Sequence, residues 1–310
     1  MLAAQEGSGA TSAGAAFILV PVGARTTALG QAGVADGGSS EAVFWNPAGL
    51  ARLPQSEFAI HHARTFISKN TALAGYLVSE RLGVVGISAY LADFGAQPTT
   101  PPEPGTDPTG RLSTKGVELL ASYATDVGRP VTLGVTYKLI QFRNECQGDC
   151  GPRGTVIGTT HAVDLGLQYA FGDAQNLTLG LAVRHAGFKL QLENSDQADP
   201  LPTRVQLGVA YRVLLPATLA NGERLDARFL LDVQEPWGEY GHPDALMGVE
   251  IGYQDLVRVR TGYAIVESSA SGPSVGLGVR IDRIAVDFAR VFFTSGSLDE
   301  PAYLSVRLAL

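Results

Sequence analysis

Several groupings in this 310-residue chain have residue types and spacings that suggest chemistry. Gly272-Pro273-Ser274-Val275-Gly276 matches the G-x-S-x-G arrangement, in which a sharp strand-to-helix turn exposes a serine nucleophile. Beyond Gly276 comes another strand-like run, so the context that would expose Ser274 is missing and the match is read as coincidence. The five histidines, His61, His62, His161, His185 and His242, are scattered, and none has the helical spacing of a metal pair. His61 and His62 point to opposite faces of any regular strand, so one ion cannot take both. His185 precedes the loop acids Glu193 and Asp196 and imitates an acid–histidine pair. Polarity at a rim accounts for it better, since geometry and not sequence proximity identifies a catalytic pair. Cys146-Gln147-Gly148-Asp149-Cys150 brings two thiols together around a glycine that permits a tight turn. With no further soft ligand nearby, a disulfide is expected there ahead of a metal site. No catalytic, cofactor-binding or metal-ligating residue is assigned, and an enzyme is not expected.

Composition narrows the classes further. Hydrophobic residues make up 45% and charged residues 17%, which places the chain among folded proteins. Two cysteines exclude a disulfide scaffold, and a formal charge of -7 argues against a nucleic-acid partner. No apolar run reaches the roughly 18 residues of a membrane-spanning helix. Residues 1–14 read as a flexible N-terminus, in which Leu2-Ala3-Ala4-Gln5 resembles the remnant of a processed leader.

From Ser56 onward the pattern has period two, the spacing of strands whose faces meet different surroundings. Leu177, Leu179, Leu181 and Val183 alternate with Thr178, Gly180, Ala182 and Arg184. Val205, Leu207, Val209 and Tyr211 alternate in the same way with Gln206, Gly208, Ala210 and Arg212. About fourteen such segments of about ten residues succeed one another, an even number and a length suited to tilted strands crossing a bilayer. Short turns near residues 80–81, 126–128, 172–174, 254 and 281–282 alternate with long polar connections at 92–114, 144–159 and 187–201. Only 215–225 breaks that alternation. A soluble sandwich would place Lys, Glu and Thr on its second face, whereas here that face holds Gly and Ala with occasional charges, as suits a crowded lumen. The expected fold is therefore all-β, a transmembrane antiparallel β-barrel over residues 56–310 in a bacterial outer membrane, with lipid as its surroundings.

The inward face is expected to carry Glu118, Lys138, Asp164, Arg184, Arg204, Arg212, Arg228, Asp232, Glu250, Arg258, Arg260, Arg280, Asp287 and Arg307. Buried charges of both signs must pair or be hydrated. They are read first as a network locking an inner segment to the wall, and second as a polar path for solute. The external connections are acid-rich, a property of solubility or of attraction for cationic partners.

Residues 15–55 do not alternate. Trp45-Asn46-Pro47-Ala48-Gly49-Leu50 reads as a helix start, with Asn46 as N-cap, Pro47 at the first helical position, and Trp45 and Leu50 at the staple positions. The run Gly23-Ala24-Arg25, Ala28-Leu29-Gly30, Ala32 to Asp36 and Ser40 to Ala51 resembles the N-terminal signature of the PorV/PorQ family, outer-membrane barrels related to FadL fatty-acid transporters. In place of that family's paired acids, this chain has Asp36-Gly37-Gly38-Ser39-Ser40-Glu41. The resemblance implies a barrel of about fourteen strands with residues 15–55 folded inside as a hatch. It also implies service to type IX protein secretion, with a translocon or secreted cargo bound at loops and rim. The alternative is a FadL-like transporter of hydrophobic small molecules such as long-chain fatty acids. The terminal alternation of Leu304, Val306, Leu308 and Leu310 resembles a barrel-assembly signal, although Leu310 stands where an aromatic residue is more usual.

Overall fold

The computed structural model describes residues 14–99, 107–128, 130–150, 154–172, 176–192, 198–215, 225–238, 240–241, 243–266, 271–294 and 299–310. Fourteen strands close into an antiparallel barrel. In chain order they are β1 (Glu57–Arg64), β2 (Lys69–Ser79), β3 (Gly83–Thr99), β4 (Gly110–Gly128), β5 (Val131–Gly148), β6 (Val156–Phe171) and β7 (Leu177–Gly187). A small hairpin outside the wall, β8 (Leu190–Gln191) with β9 (Ala198–Asp199), comes next. The wall resumes with β10 (Arg204–Leu214), β11 (Leu225–Pro236), β12 (Asp244–Tyr253), β13 (Val257–Ile265), β14 (Gly272–Ile281), β15 (Ile284–Val291) and β16 (Ala302–Ala309). Each wall strand pairs with its sequence neighbours, and β16 returns to β1 with Ile60 opposite Val306. Closure leaves no edge unsatisfied, the condition for a sheet to sit in lipid.

The two faces differ as the alternation requires. Outward positions carry exposed Ile87, Leu119, Leu165, Leu207, Leu231, Val259, Leu277 and Phe288, an apolar band facing the hydrocarbon. Toward the short-turn end, Tyr123, Tyr169, Phe171, Tyr211 and Tyr253 are exposed as well, where aromatic rings suit the headgroup layer. Inward positions are small or polar, with Ala59, Ala162, Ala182, Gln168, Gln206 and Ser305 all buried.

Strand ends differ from expectation at one side of the barrel. The connections expected at 92–114 and 144–159 are shorter, because β3 runs on to Thr99, β4 begins at Gly110, β5 reaches Gly148 and β6 begins at Val156. With 19 residues, β4 extends roughly 50 Å along the barrel axis against about 30 Å of hydrocarbon. Its upper part and its neighbours have therefore left the membrane. There the pairs Ser113–Glu145 and Lys115–Arg143 are polar on both partners, so hydrophobic alternation vanishes although the ladder continues. Residues 216–224 of the connection that broke the loop rule, and residues 1–13 of the N-terminus, lie outside the described residues.

Cys146 and Cys150 stand at the tip of this projecting sheet, joined with Cα atoms 6.1 Å apart. Mass spectrometry of unreduced protein isolated from cells is expected to find the two residues in one cross-linked peptide. Two freely alkylated thiols would contradict that.

Candidate functional site: the barrel interior

The chain before β1 is an irregular strap with a short helix α1 (Ala24–Ala28) and tight helical turns at Ala16–Leu19, Ser40–Phe44 and Pro47–Arg52. It lies within the barrel, α1 against β13 to β16 and the Pro47–Arg52 turn against β3 to β6. Irregular backbone inside a barrel needs polar partners for its free N–H and C=O groups, and the wall supplies them. Ser305 Oγ accepts from Ala24 N at 2.8 Å, and Ser274 Oγ accepts from Gly30 N at 3.1 Å while donating to Ala28 O at 3.0 Å. Ser274 thus sits mid-strand as an anchor for the strap, without the turn that a nucleophile needs. Asp232 accepts from Val34 N at 2.9 Å, and Gln168 Nε2 donates to Val34 O and Asp36 O at 2.9 and 2.6 Å.

The motif around Asn46 is the centre of this docking. Asn46 Oδ1 accepts from Ala48 N at 3.0 Å, the expected cap. Its amide nitrogen also donates to Val34 O at 2.7 Å and to the wall carbonyls of Leu167 and Leu181 at 3.2 and 3.3 Å. The backbone of Pro47 and Ala48 lies directly on Gly134 and Gly166, which oppose each other across β5 and β6. A Cβ at Gly134 would stand 2.3 Å from Ala48 N, and one at Gly166 would stand 2.0 Å from Asn46 Oδ1. The pairs Gly180–Gly208 and Gly248–Gly262 continue the same belt of side-chain-free wall under Val34 and Leu29. Trp45 Nε1 donates to Val22 O at 3.0 Å, Gly49 packs under Asp36 O, and Leu50 enters an apolar cluster with Tyr76, Val84 and Leu120.

Charges complete the lock. Asp36 is gripped by Arg25 of the strap and by Arg228 of β11, the latter at 2.5 Å. Burial by itself raises the Asp36 carboxyl, but the two guanidiniums outweigh it and hold the group below the ordinary carboxylate value. Arg25 also reaches Glu250 at 3.4 Å, and from there Arg260, Asp287 and Arg307 form a chain with contacts of 2.6, 2.6 and 2.8 Å. Glu41 closes the other end, accepting from Thr26 N and Oγ1 at 3.0 Å each.

Above the strap lies a chamber of about 750 Å³, lined by Ile18, Val20, Phe44, Trp45, Tyr90, Phe293 and Tyr303 and floored by charged residues. Lys138 is there between Glu118 and Asp164 at 3.0 and 2.8 Å, with His185 Nδ1 at 3.2 Å. Strict alternation sends His185 outward, yet it is buried. Between β6 and β7 the register slips so that Arg184 and His185 together face Asp164, and His185 takes a φ of 59°. The bulge turns both side chains inward. His185 is thus an interior residue and not part of a polar rim; Glu193 and Asp196 lie outside the described residues, as does His242. His61 is buried against Ser305 Oγ at 2.8 Å and His62 is exposed, the opposite faces expected of neighbours on a strand.

Arg184 differs from the other floor charges. It is only 7% exposed, donates to Phe44 O at 2.9 Å and Gln234 Oε1 at 3.3 Å, and lies 5.3 Å from the centre of the Trp45 ring. Among the described residues no carboxylate comes within 4.0 Å of it, and its Nε has no partner. A chamber with apolar walls and a buried guanidinium in direct contact with no carboxylate is suited to a hydrophobic molecule, and best to one bearing a single anionic group.

No protein-family model and no curated protein matches the chain. Among solved structures it is similar to the toluene transporter TbuX of Ralstonia pickettii, at 13% identity and TM-score 0.59 over 93% of this chain and 98% of that one. It is similar to the toluene transporter TodX of P. putida, at 12% identity and TM-score 0.62 over 93% and 98%. A FadL homologue of Pseudomonas aeruginosa aligns at 12% identity and TM-score 0.55 over 94% and 99%. None of these neighbours singles out the PorV/PorQ family. With its closed fourteen-stranded wall, apolar outer band and filled lumen, the chain is a bacterial outer-membrane barrel with FadL-like architecture.

Proposed function

We propose that the barrel is a FadL-like transporter of hydrophobic small molecules, with the chamber above the strap as its binding site and residues 15–55 as a hatch. The chamber itself supports this reading most: about 750 Å³ of space with apolar walls and a polar floor ends on a docked inner segment, a volume within the usual range for small-molecule sites. The neighbours add support, being toluene transporters and a FadL homologue by name. Arg184 favours a carboxylate-bearing cargo such as a long-chain fatty acid over a neutral hydrocarbon, because a buried guanidinium that no carboxylate touches gains a charge-assisted hydrogen bond from one. The secretion role implied by the PorV/PorQ resemblance, with a translocon or cargo at the external loops, draws no support from these neighbours and gives way to transport.

The test is binding to the purified barrel in non-ionic detergent. Radiolabelled laurate is expected to bind saturably, and Arg184→Leu is expected to weaken it by roughly ten- to a hundredfold, the range for a hydrogen bond to a charged group. Toluene binding should change little, and Arg184→Lys should restore part of the laurate affinity. Equal losses for laurate and toluene would show that Arg184 only shapes the chamber.

A further inference from the structure

The outer face of the wall carries an ordered set of charges that the interior does not use. Above the short turns, the outward positions of β1 to β5 hold no Asp, Glu, Lys or Arg until Arg64, Lys69, Asp93, Lys115 and Arg143. These five first charges lie in a single register row. Arg64 is opposite Lys69, Lys69 opposite Asp93, Asp93 opposite Lys115 and Lys115 opposite Arg143. Like charges directly opposite in an antiparallel pair repel, their Cβ atoms being only about 4.5–5.5 Å apart, and the row contains two such pairs. Arg143 is answered by Glu145 at 2.5 Å, and one carboxylate oxygen of Asp93 accepts from Gly95 N at 2.9 Å. Arg64, Lys69 and Lys115 form no ion pair among the described residues. Below the row the same strands expose Leu73, Leu91, Leu119 and Tyr137. None of the five charged residues lines the chamber above the strap.

We propose that this row is a docking site for a phosphorylated lipid of the surrounding leaflet, with its phosphates on Arg64, Lys69 and Lys115 and its acyl chains along the apolar wall beneath. Long basic side chains at the edge of the hydrocarbon keep their stems on apolar surface and their charged ends among headgroups, where anionic lipid is favoured. A free anion would use the cations and leave the wall idle, whereas an amphiphile uses both. Three strand spacings separate Arg64 from Lys115, about 14 Å, so a headgroup with a phosphate at each end suits the row better than one with a single phosphate. The repulsion between Arg64 and Lys69 is relieved when a phosphate comes between them. The site goes beyond the transport reading and does not rest on it.

Native mass spectrometry of the full-length barrel in non-ionic detergent tests this by counting bound lipid during titration. The probes are diphosphoryl lipid A and the same glycolipid stripped of both phosphates. The phosphorylated form is expected to bind about tenfold more tightly or better, an advantage that shrinks as salt is raised. Arg64→Gln with Lys69→Gln and Lys115→Gln should abolish that advantage, while unboiled and boiled samples still migrate apart. Removing three exposed cations at the short-turn end, by Arg81→Gln, Arg280→Gln and Arg283→Gln, should leave it intact, which separates the row from net charge. Equal affinity of the parent barrel for the two lipid forms would overturn the proposal, as would equal losses in the two triple variants. So would a loss produced by Arg184→Leu and not by the row variant, which would seat the lipid in the chamber instead.

Discussion

Valine at both Gly134 and Gly166 is expected to expel the inner strap while the wall still closes. A Cβ at Gly134 would stand 2.3 Å from Ala48 N, and one at Gly166 would stand 2.0 Å from Asn46 Oδ1 and 2.8 Å from Ala48 N; the backbone atoms cannot swing aside as a side-chain end can. Overpacking costs about 1–3 kcal/mol per site in cores that can adjust. Here the outcome is larger, because displacing the segment also strands the amide of Asn46 from Val34, Leu167 and Leu181. The wall hydrogen bonds between β5 and β6 do not involve those side chains, so strand-rich circular dichroism and slower migration after boiling should persist. Ion conductance in planar bilayers should rise severalfold or more over the parent. Asn46→Ala alone should show a smaller rise, since it removes a cap worth about 1 kcal/mol together with the amide nitrogen's bonds to the carbonyls of Val34, Leu167 and Leu181 but inserts no clash. A double-valine barrel that conducts like the parent would mean that the strap is not held on the glycine belt.

Replacing Asp36 by Asn is the second large effect. The substitution leaves Arg25 and Arg228 without their shared counterion at a buried place, and breaking a buried pair from one side costs about 3–5 kcal/mol. Hydrogen exchange across residues 24–36 should accelerate by about two orders of magnitude or more, whereas peptides from β4 and β5 should stay protected. The sign with pH comes from the direction of the shift. Asp36 is held below its ordinary value of 3.8, so its contribution is complete above that value and is lost as pH falls through the lower, folded value. In the parent, protection of residues 24–36, corrected for intrinsic rates, should stay level from neutrality down to about pH 4 and collapse below it. Asp36→Asn should abolish that acid limb. Protection that falls already near neutrality would point to another group.

Period two made the wall legible because lipid and lumen are different solvents, so every strand within the bilayer had to declare its faces. The same logic explains where strands went unread. Above the membrane, residues such as Arg111, Ser113 and Glu145 meet water or polar neighbours on both sides, and a strand there looks like a polar loop. The inward charges were legible for the same reason as the wall; Arg184, Arg228, Asp232 and Glu250 among them bond to the strap, while Lys138, Glu118, Asp164, Arg204 and Arg212 pair within the wall. His185 was misplaced because one slipped residue reverses the facing of the residues after it, and nothing in its neighbours announces a bulge. Asn46 was readable as a cap because capping is local. Its bonds to Leu167 and Leu181 were not, being 121 and 135 residues away. The glycine pairs belong to the same class: a glycine-rich inner face was visible, but which glycine meets which piece of strap depends on a register that only the closed barrel defines.

A barrel that carries hydrophobic molecules inward past its strap should restore uptake where it has been lost. The direct measurement is uptake of radiolabelled oleate by bacterial cells lacking their own outer-membrane fatty-acid transporter, with and without this protein. Uptake well above the empty-vector control is expected. Arg184→Leu is expected to reduce that uptake while the same amount of folded barrel reaches the outer membrane. Uptake equal to the control, from a barrel that is abundant, folded and found instead in a stable complex with a secretion translocon, would contradict the transport reading.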